Sequence, residues 1–161
     1  MSTSSTPRGL VPIRRLGSTT PYTGGFTKYL LPSNYGYAIG NGDLVKMKAT
    51  GTGRGQPMRF NETVAATTVT SSGIMLGVCV GCEYTDPNTS QLTIRQHYPG
   101  SIVASDIYLH VEDDPMMLFK AQADGQVAQT MQGCNFAVIQ TAVTNTLNGN
   151  SGVHVDASSY E

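Results

Sequence analysis

Charged helix formers are scarce in this chain. Only 13% of its 161 residues are charged, and lysine, glutamate and leucine are few, which disfavours long surface helices. No apolar run approaches the roughly 20 residues that a membrane-spanning helix needs. The first ten residues, MSTSSTPRGL, lack the apolar core of a secretory signal, so the expectation is a soluble protein made in a cytoplasm. Three cysteines, an odd number without such a signal, argue against a disulfide framework. Also missing are a G-x-S-x-G elbow, a Walker lysine loop and an H-E-x-x-H helix, so nothing points to an enzyme. With neither a basic cluster nor a stacking platform, nucleic-acid binding is not expected.

What is present is glycine (18 residues), proline (8) and abundant threonine, a composition of strands joined by tight turns. The length and 39% hydrophobic content fit one mainly β domain with a real core. Charge is unevenly placed. Residues 1–42 hold Arg8, Arg14, Arg15 and Lys28 and no acid, while residues 43–161 hold six basic and eleven acidic side chains, so the front is net positive and the remainder net negative.

Residues 1–25 are rich in Ser, Thr, Gly and Pro and have no hydrophobic periodicity, so alone they cannot offset the entropy of ordering. The segment nevertheless carries Leu10, Val11, Ile13 and Leu16. With Arg8, Arg14, Arg15 and Tyr22, these predict an extended arm that orders on a neighbouring subunit or an acidic surface. Residues 26–161 form the expected β-rich body.

Within the body, FTKYLLPS and YGYAI read as short strands, and Asn41-Gly42 predicts a hairpin over residues 35–49. GTGRGQ at 51–56 reads as a loop, since no helix follows to offer its N-terminus to phosphate. ETVAATTV is a strand candidate. GIMLGVCVGCEY, the most hydrophobic stretch, predicts a central strand with a bulge or a close backbone approach at its glycines. TDPNTS is a turn, and QLTIRQHY alternates as a half-buried strand does, with Leu92 and Ile94 against Thr93 and Arg95. IVASDIYLHV places Ile107, Leu109 and Val111 on one face and Asp106, Tyr108 and His110 on the other. A short turn or helical piece, a strand at CNFAVI and a last apolar pair, Val153 and Val155, complete the chain.

Two constellations invite chemistry. His110, Glu112, Asp113 and Asp114 precede Pro115, which favours an extended residue before it and opens a turn. Adjacent acids in a loop point apart, so a solvated or interface-facing turn is expected rather than a metal site or acid-base pair. Cys79 and Cys82 form a C-x-x-C, but three residues apart on a strand they are expected on opposite faces. A zinc site would need Cys134 and one of His97, His110 or His154 as well, so buried reduced thiols are expected instead.

In their order, YLLPSNYGYAIGNGDLVKM, GIMLGVCVGCEY, YTDPNTSQLTIRQHYPG and IYLHVEDDPMMLFKAQADG resemble the head decoration, or cement, proteins of marine and related tailed bacteriophages, over about Phe26 to Val155. Cys79 and Cys82 depart from that pattern. The resemblance implies a β-barrel or β-tulip-like body on the outer surface of the capsid, with residues 1–25 as a strap. Its partners would be the major capsid protein and neighbouring copies of itself, with no nucleic acid, membrane or cofactor. Synthesis would take place in the host bacterial cytoplasm. Other readings are a different virion part, such as a tail or fibre-base protein, and a small zinc-binding domain.

Overall fold

A computed structural model describes residues 7–49, 54–61, 67–68, 74–143 and 147–161. Among them the regular structure is β, apart from one 3-10 turn at Gln129–Met131. The largest sheet is built on β6 (Ile74–Thr85), flanked on one side by β8 (Tyr108–Glu112) and then β2 (Thr27–Leu30), and on the other by β3 (Leu44–Met47) and then β4 (Pro57–Arg59). A further strand, β7 (Leu92–Arg95), pairs antiparallel with the C-terminal end of β6. Two smaller sheets join β1 (Val11–Arg15) to β9 (Met117–Lys120), and β5 (Thr67–Thr68) to β10 (Val138–Gln140) and β11 (His154–Val155). The ladders among the described residues leave the large sheet open, with β2 and β4 at its ends, so the barrel closure that the resemblance implied is not seen there.

GIMLGVCVGCEY is the central strand, and both of its expected irregularities are present. Its register with β8 shifts between Cys79 and Gly81, and its register with β3 shifts between Val45 and Lys46. A Cβ on Gly77 would collide with the Glu112 carbonyl oxygen, so only glycine lets β8 come this close. The first bulge overturns the expectation for the cysteines. Pairing runs Cys79 to Val111 and Cys82 to Leu109, and those β8 residues, two apart, share a face. The extra residue at Val80 resets the alternation, and both cysteines enter one core cluster.

That cluster gathers Leu31, Ile39, Val45, Tyr84, Tyr98, Ile107, Leu109 and Val111 around the cysteines. Leu44 and Val78, each next in sequence to a member, point to the opposite face and pack with Phe60, Leu10, Phe119 and Val138. At this end the sheet is apolar on both sides.

The predicted 35–49 hairpin does not form. Asn41-Gly42 does sit in a turn, with the Asp43 N–H donating to the Gly40 carbonyl at 3.1 Å and Gly42 at φ 90°. Asn41 is not at positive φ, so this is not the type I′ turn that would bring its flanks together. Ile39 instead bridges Tyr98, and β3 pairs with β4 and β6. The hairpin is therefore one element later, β3 to β4, and residues 50–53 of its loop lie outside the described residues. Most of the ETVAATTV segment, residues 62–66 and 69, lies outside them as well.

Candidate functional site

The registers place side chains on the second face of the large sheet row by row. Leu30 pairs with Tyr108, Tyr108 with Glu83 and Glu83 with Ile94. A single row thus crosses β2, β8, β6 and β7, with Leu92 one step along on the same face. This corrects the expectation for QLTIRQHY: the strand forms, but Leu92 and Ile94 are 66% and 68% exposed. Their partners Thr85 and Glu83 lie on the face away from the Tyr84 and Tyr98 core. Leu30 and Phe26 are also exposed, at 45% and 44%. One face of the sheet is therefore covered at the Leu44 and Val78 end and bare at the Ile94 end.

Few charges interrupt the bare end. The Lys28 ammonium donates to Glu83 Oε1 at 2.5 Å, spanning β8, and that hydrogen bond is the main cause holding the Glu83 carboxyl below its ordinary range. His110 Nε2 lies 3.3 Å from the other Glu83 oxygen without forming a hydrogen bond. The His110 ring stacks on Phe26 at 4.2 Å, and the residue is only 7% exposed. The structure does not bear out a solvated turn for His110 and Glu112, because both are buried. Residues 112–114 instead tie three segments together. Asp113 accepts from Thr27 Oγ1 at 3.1 Å and Tyr29 Oη at 2.7 Å. Asp114 pairs with Arg15 Nε at 3.0 Å and accepts from the Met116 N–H at 2.9 Å.

A cleft of about 580 Å³ opens between this acidic turn and residues 15–27. Three carboxylates, Glu112, Asp113 and Asp114, line it against one guanidinium, Arg15. Glu112 Oε1 accepts from the Asp114 N–H at 3.2 Å. Oε2 is buried and has no hydrogen-bond partner. The nearby Tyr22 phenol has a single proton, which it donates to the Gly25 carbonyl at 2.5 Å. Burial and the neighbouring Glu112 push the Tyr22 pKa up to about 12, so the phenol stays protonated.

The residues expected to form an arm are divided in their placement. Leu10 packs on the Leu44 and Val78 cluster, and its N–H donates to the Gly42 carbonyl at 3.0 Å. Val11, Pro12, Arg14 and Arg15 pair with β9 of the same chain. Val11, Ile13 and Leu16 are 43%, 45% and 55% exposed, and Arg8 and Arg14 are exposed too. Tyr22 is half-buried over Glu112.

The thiol candidates do not converge. Cys79 and Cys82 are buried with free thiols. Burial pushes the Cys79 thiol well up and the Cys82 thiol to about 12. Cys134 is only partly exposed, and among the described residues no group of three or more His, Cys, Asp or Glu is arranged to hold a metal ion.

A buried polar network escaped the sequence reading. Asp43, fully buried, accepts from Ser151 Oγ at 2.6 Å and from the Gly40 N–H at 2.8 Å, and pairs with Arg59 Nε at 3.4 Å. Arg59 also donates to the Thr141 carbonyl. Gln140, likewise buried, donates to the Leu44 carbonyl at 3.2 Å and accepts from the Asn61 N–H at 3.1 Å. It joins β3, the end of β4, β10 and the 149–151 segment, which makes it a structural tie. The one sequence signal for it was a lone Asp between glycine and two aliphatics.

Comparison of the chain with protein-family models, curated proteins and solved structures returns no match.

Proposed function

We propose that this protein is a bacteriophage capsid decoration, or cement, protein that adheres to the outer surface of the major capsid protein lattice and stabilises the mature head. The observation that carries the reading is the bare end of the large sheet, where Leu30, Tyr108, Ile94 and Leu92 lie exposed on one face, with the Lys28-paired Glu83 between Tyr108 and Ile94. Apolar side chains gathered on one face mark an interaction surface, whereas scattered ones do not. Burying each large aliphatic gains about 1.5–3 kcal/mol. Two or three of them gain about 3–9 kcal/mol, which an association cost of about 4–15 kcal/mol largely offsets for a single contact. A surface of this size therefore suits a lattice, where many weak contacts act together. Val11 and Ile13 on β1, with Leu16 just after it, supply a second exposed apolar set through which one copy can bridge two neighbours. The finer picture, a tulip-like body with residues 1–25 as a strap on the shell, belongs to this proposal. The ordered motif series from Phe26 to Val155 supports it.

The test is co-sedimentation of the full chain with expanded heads lacking it, comparing the wild type with a Leu92→Ser, Ile94→Ser double variant. The expected result is saturable binding by the wild type and loss of binding by the variant at an unchanged melting temperature. Equal binding by both would contradict the assignment of the face. Association with tails instead of heads would favour a tail or fibre-base role.

A further inference from the structure

We infer that the chain pairs with a second copy of itself through the open edge of β7, an isologous contact that extends the large sheet across a two-fold axis. Among the described residues β7 pairs only with β6, so its other edge is free. The phase of the hydrogen bonds shows which residues face that edge. The Asp86 N–H donates to the Gln91 carbonyl, and the Arg95 carbonyl oxygen lies 3.0 Å from where a Cβ on Gly81 of β6 would stand. The Thr85 N–H, by contrast, donates to Asp106 Oδ2 at 3.2 Å and not to its β7 neighbour Leu92. Gln91, Thr93 and Arg95 therefore turn their backbone groups toward β6, and the alternation of an antiparallel ladder leaves the N–H and C=O of Leu92 and Ile94 pointing outward. Both residues are also about two-thirds exposed, at 66% and 68%, so the edge is within reach of another chain. Unpaired backbone groups of this kind are a template for a further strand.

Other strands carry residues that discourage edge pairing: β1 holds Pro12, β4 holds Pro57, and β2 holds Lys28 with Pro32 just beyond its end. β7, Leu-Thr-Ile-Arg, has no proline, glycine or lysine. Its symmetry selects the occupant. Residues directly opposite in an antiparallel pair share a face, so a two-fold axis must pass through a residue of β7 and not between two. At Leu92 the axis would set Ile94 against Ser90, which is held at φ 56°. At Ile94 it would set Leu92 against Gln96, beyond the end of the strand, and at Arg95 it would oppose two guanidiniums. An axis at Thr93 matches Leu92 with Ile94 of the second copy in both directions, and each such pair exchanges both of its N–H···O bonds. Thr93 then faces Thr93, and Arg95 meets the uncharged Gln91. Leu92 and Ile94 of both copies gather on the same bare face. A contact of β7 with itself also closes, whereas β7 against β2 would repeat as an open sheet.

A ladder this short buries less than about 1,200 Å² in total, the range of transient contacts, so the dimer is weak in dilute solution. The test is cysteine cross-linking of the full chain in a Cys134→Ser background, which removes the native thiol that is not buried. Thr93→Cys, Leu92→Cys and Ile94→Cys are compared in a glutathione redox buffer. An axis at Thr93 brings the Cβ atoms of that position to about 4.5–5.5 Å across a non-hydrogen-bonded pair, close to disulfide geometry. Thr93→Cys should therefore form the disulfide-linked dimer at least about tenfold faster than the other two, although Thr93 is the least exposed of the three. Sedimentation velocity over a micromolar to millimolar series should show a monomer–dimer equilibrium for the wild type. Thr93→Lys should weaken it about fivefold by setting like charges opposite one another, and mixing that variant with Thr93→Glu should restore it. Should the charged variants fail to fold, the cysteine comparison decides alone. Cross-linking at Leu92 or Ile94 as fast as at Thr93, a wild type that stays monomeric throughout, growth into longer oligomers, or a mixture no better than either charged variant would overturn the inference. It rests on the strand edge and not on the capsid reading: head co-sedimentation reads the sheet face, so either claim can fail alone.

Discussion

Cys79 and Cys82 show how one extra residue changes what a side chain does. Strict alternation would send them to opposite faces, whereas the bulge at Val80 puts both in the core. Burial raises both thiol pKa values, and because the thiolate is the reactive form, neither should react in the folded protein. Titration with a thiol reagent at pH 8 should find Cys134 alone reactive in the native state, and all three cysteines after denaturation. Rapid native reaction of Cys79 or Cys82 would mean that β6 is not packed as described. The buried Asp43–Arg59 pair leads to a second expectation at this scale. Arg59→Met leaves the Asp43 carboxylate without its countercharge, and breaking a buried pair from one side costs about 3–5 kcal/mol. For a chain of this length that corresponds to a fall in melting temperature on the order of 10 °C, measurable by calorimetry.

Among the elements, those legible from the sequence were the ones whose signal is local. The apolar run of β6 with its glycine irregularities, the TDPNTS turn and the Ile107, Leu109, Val111 alternation all appear where expected. At the turn, the Asp86 N–H donates to the Gln91 carbonyl and Asp86 accepts from the Asn88 N–H. Period-two alternation also identified correctly that Leu92 and Ile94 share a face. Which face is covered depends on strands distant in sequence, so their exposure was not legible. The Asn41-Gly42 hairpin failed for a related reason: long-range pairing of Ile39 with Tyr98 and of β3 with β6 outweighed a local turn preference. The acidic turn was recognised as a turn, but its ties to Thr27 and Tyr29 reach across 86 and 84 residues and the tie to Arg15 reaches further still, and no local pattern encodes them. Gly77 provides the test at this scale. Gly77→Ala sets a methyl against the Glu112 carbonyl, and overpacking of this kind costs about 1–3 kcal/mol. Denaturant unfolding should show that loss, whereas Gly55→Ala, with nothing within 4 Å of its Cβ but a positive φ, should cost only about 1 kcal/mol.

For the molecule as a whole, charge is sparse and acts locally, so its pH response follows a few carboxylates. Hydrogen bonds hold Glu83, Asp106 and Asp156 below their ordinary range, from Lys28, Thr85 and Ser158 respectively. A carboxyl depressed in the fold contributes stability that is present above its unfolded pKa and lost as pH falls through the folded value. Asp43 acts in the opposite sense, because burial raises its pKa and protonation relieves that penalty. The melting temperature should therefore vary little from pH 7 to about pH 5 and fall below about pH 4, and Glu83→Gln should soften the fall. An acid limb unaffected by that variant would leave the Lys28–Glu83 pair without an energetic role.

The proposed role depends on an open sheet face that adheres to a repeating partner surface. Its most direct test is electron cryomicroscopy of expanded heads incubated with the full chain. The predicted result is icosahedrally ordered density on the outer shell, with β7 and the Leu30–Tyr108–Ile94 row against the major capsid protein. Density in which that face points to solvent, or heads that remain bare at saturating protein, would contradict it.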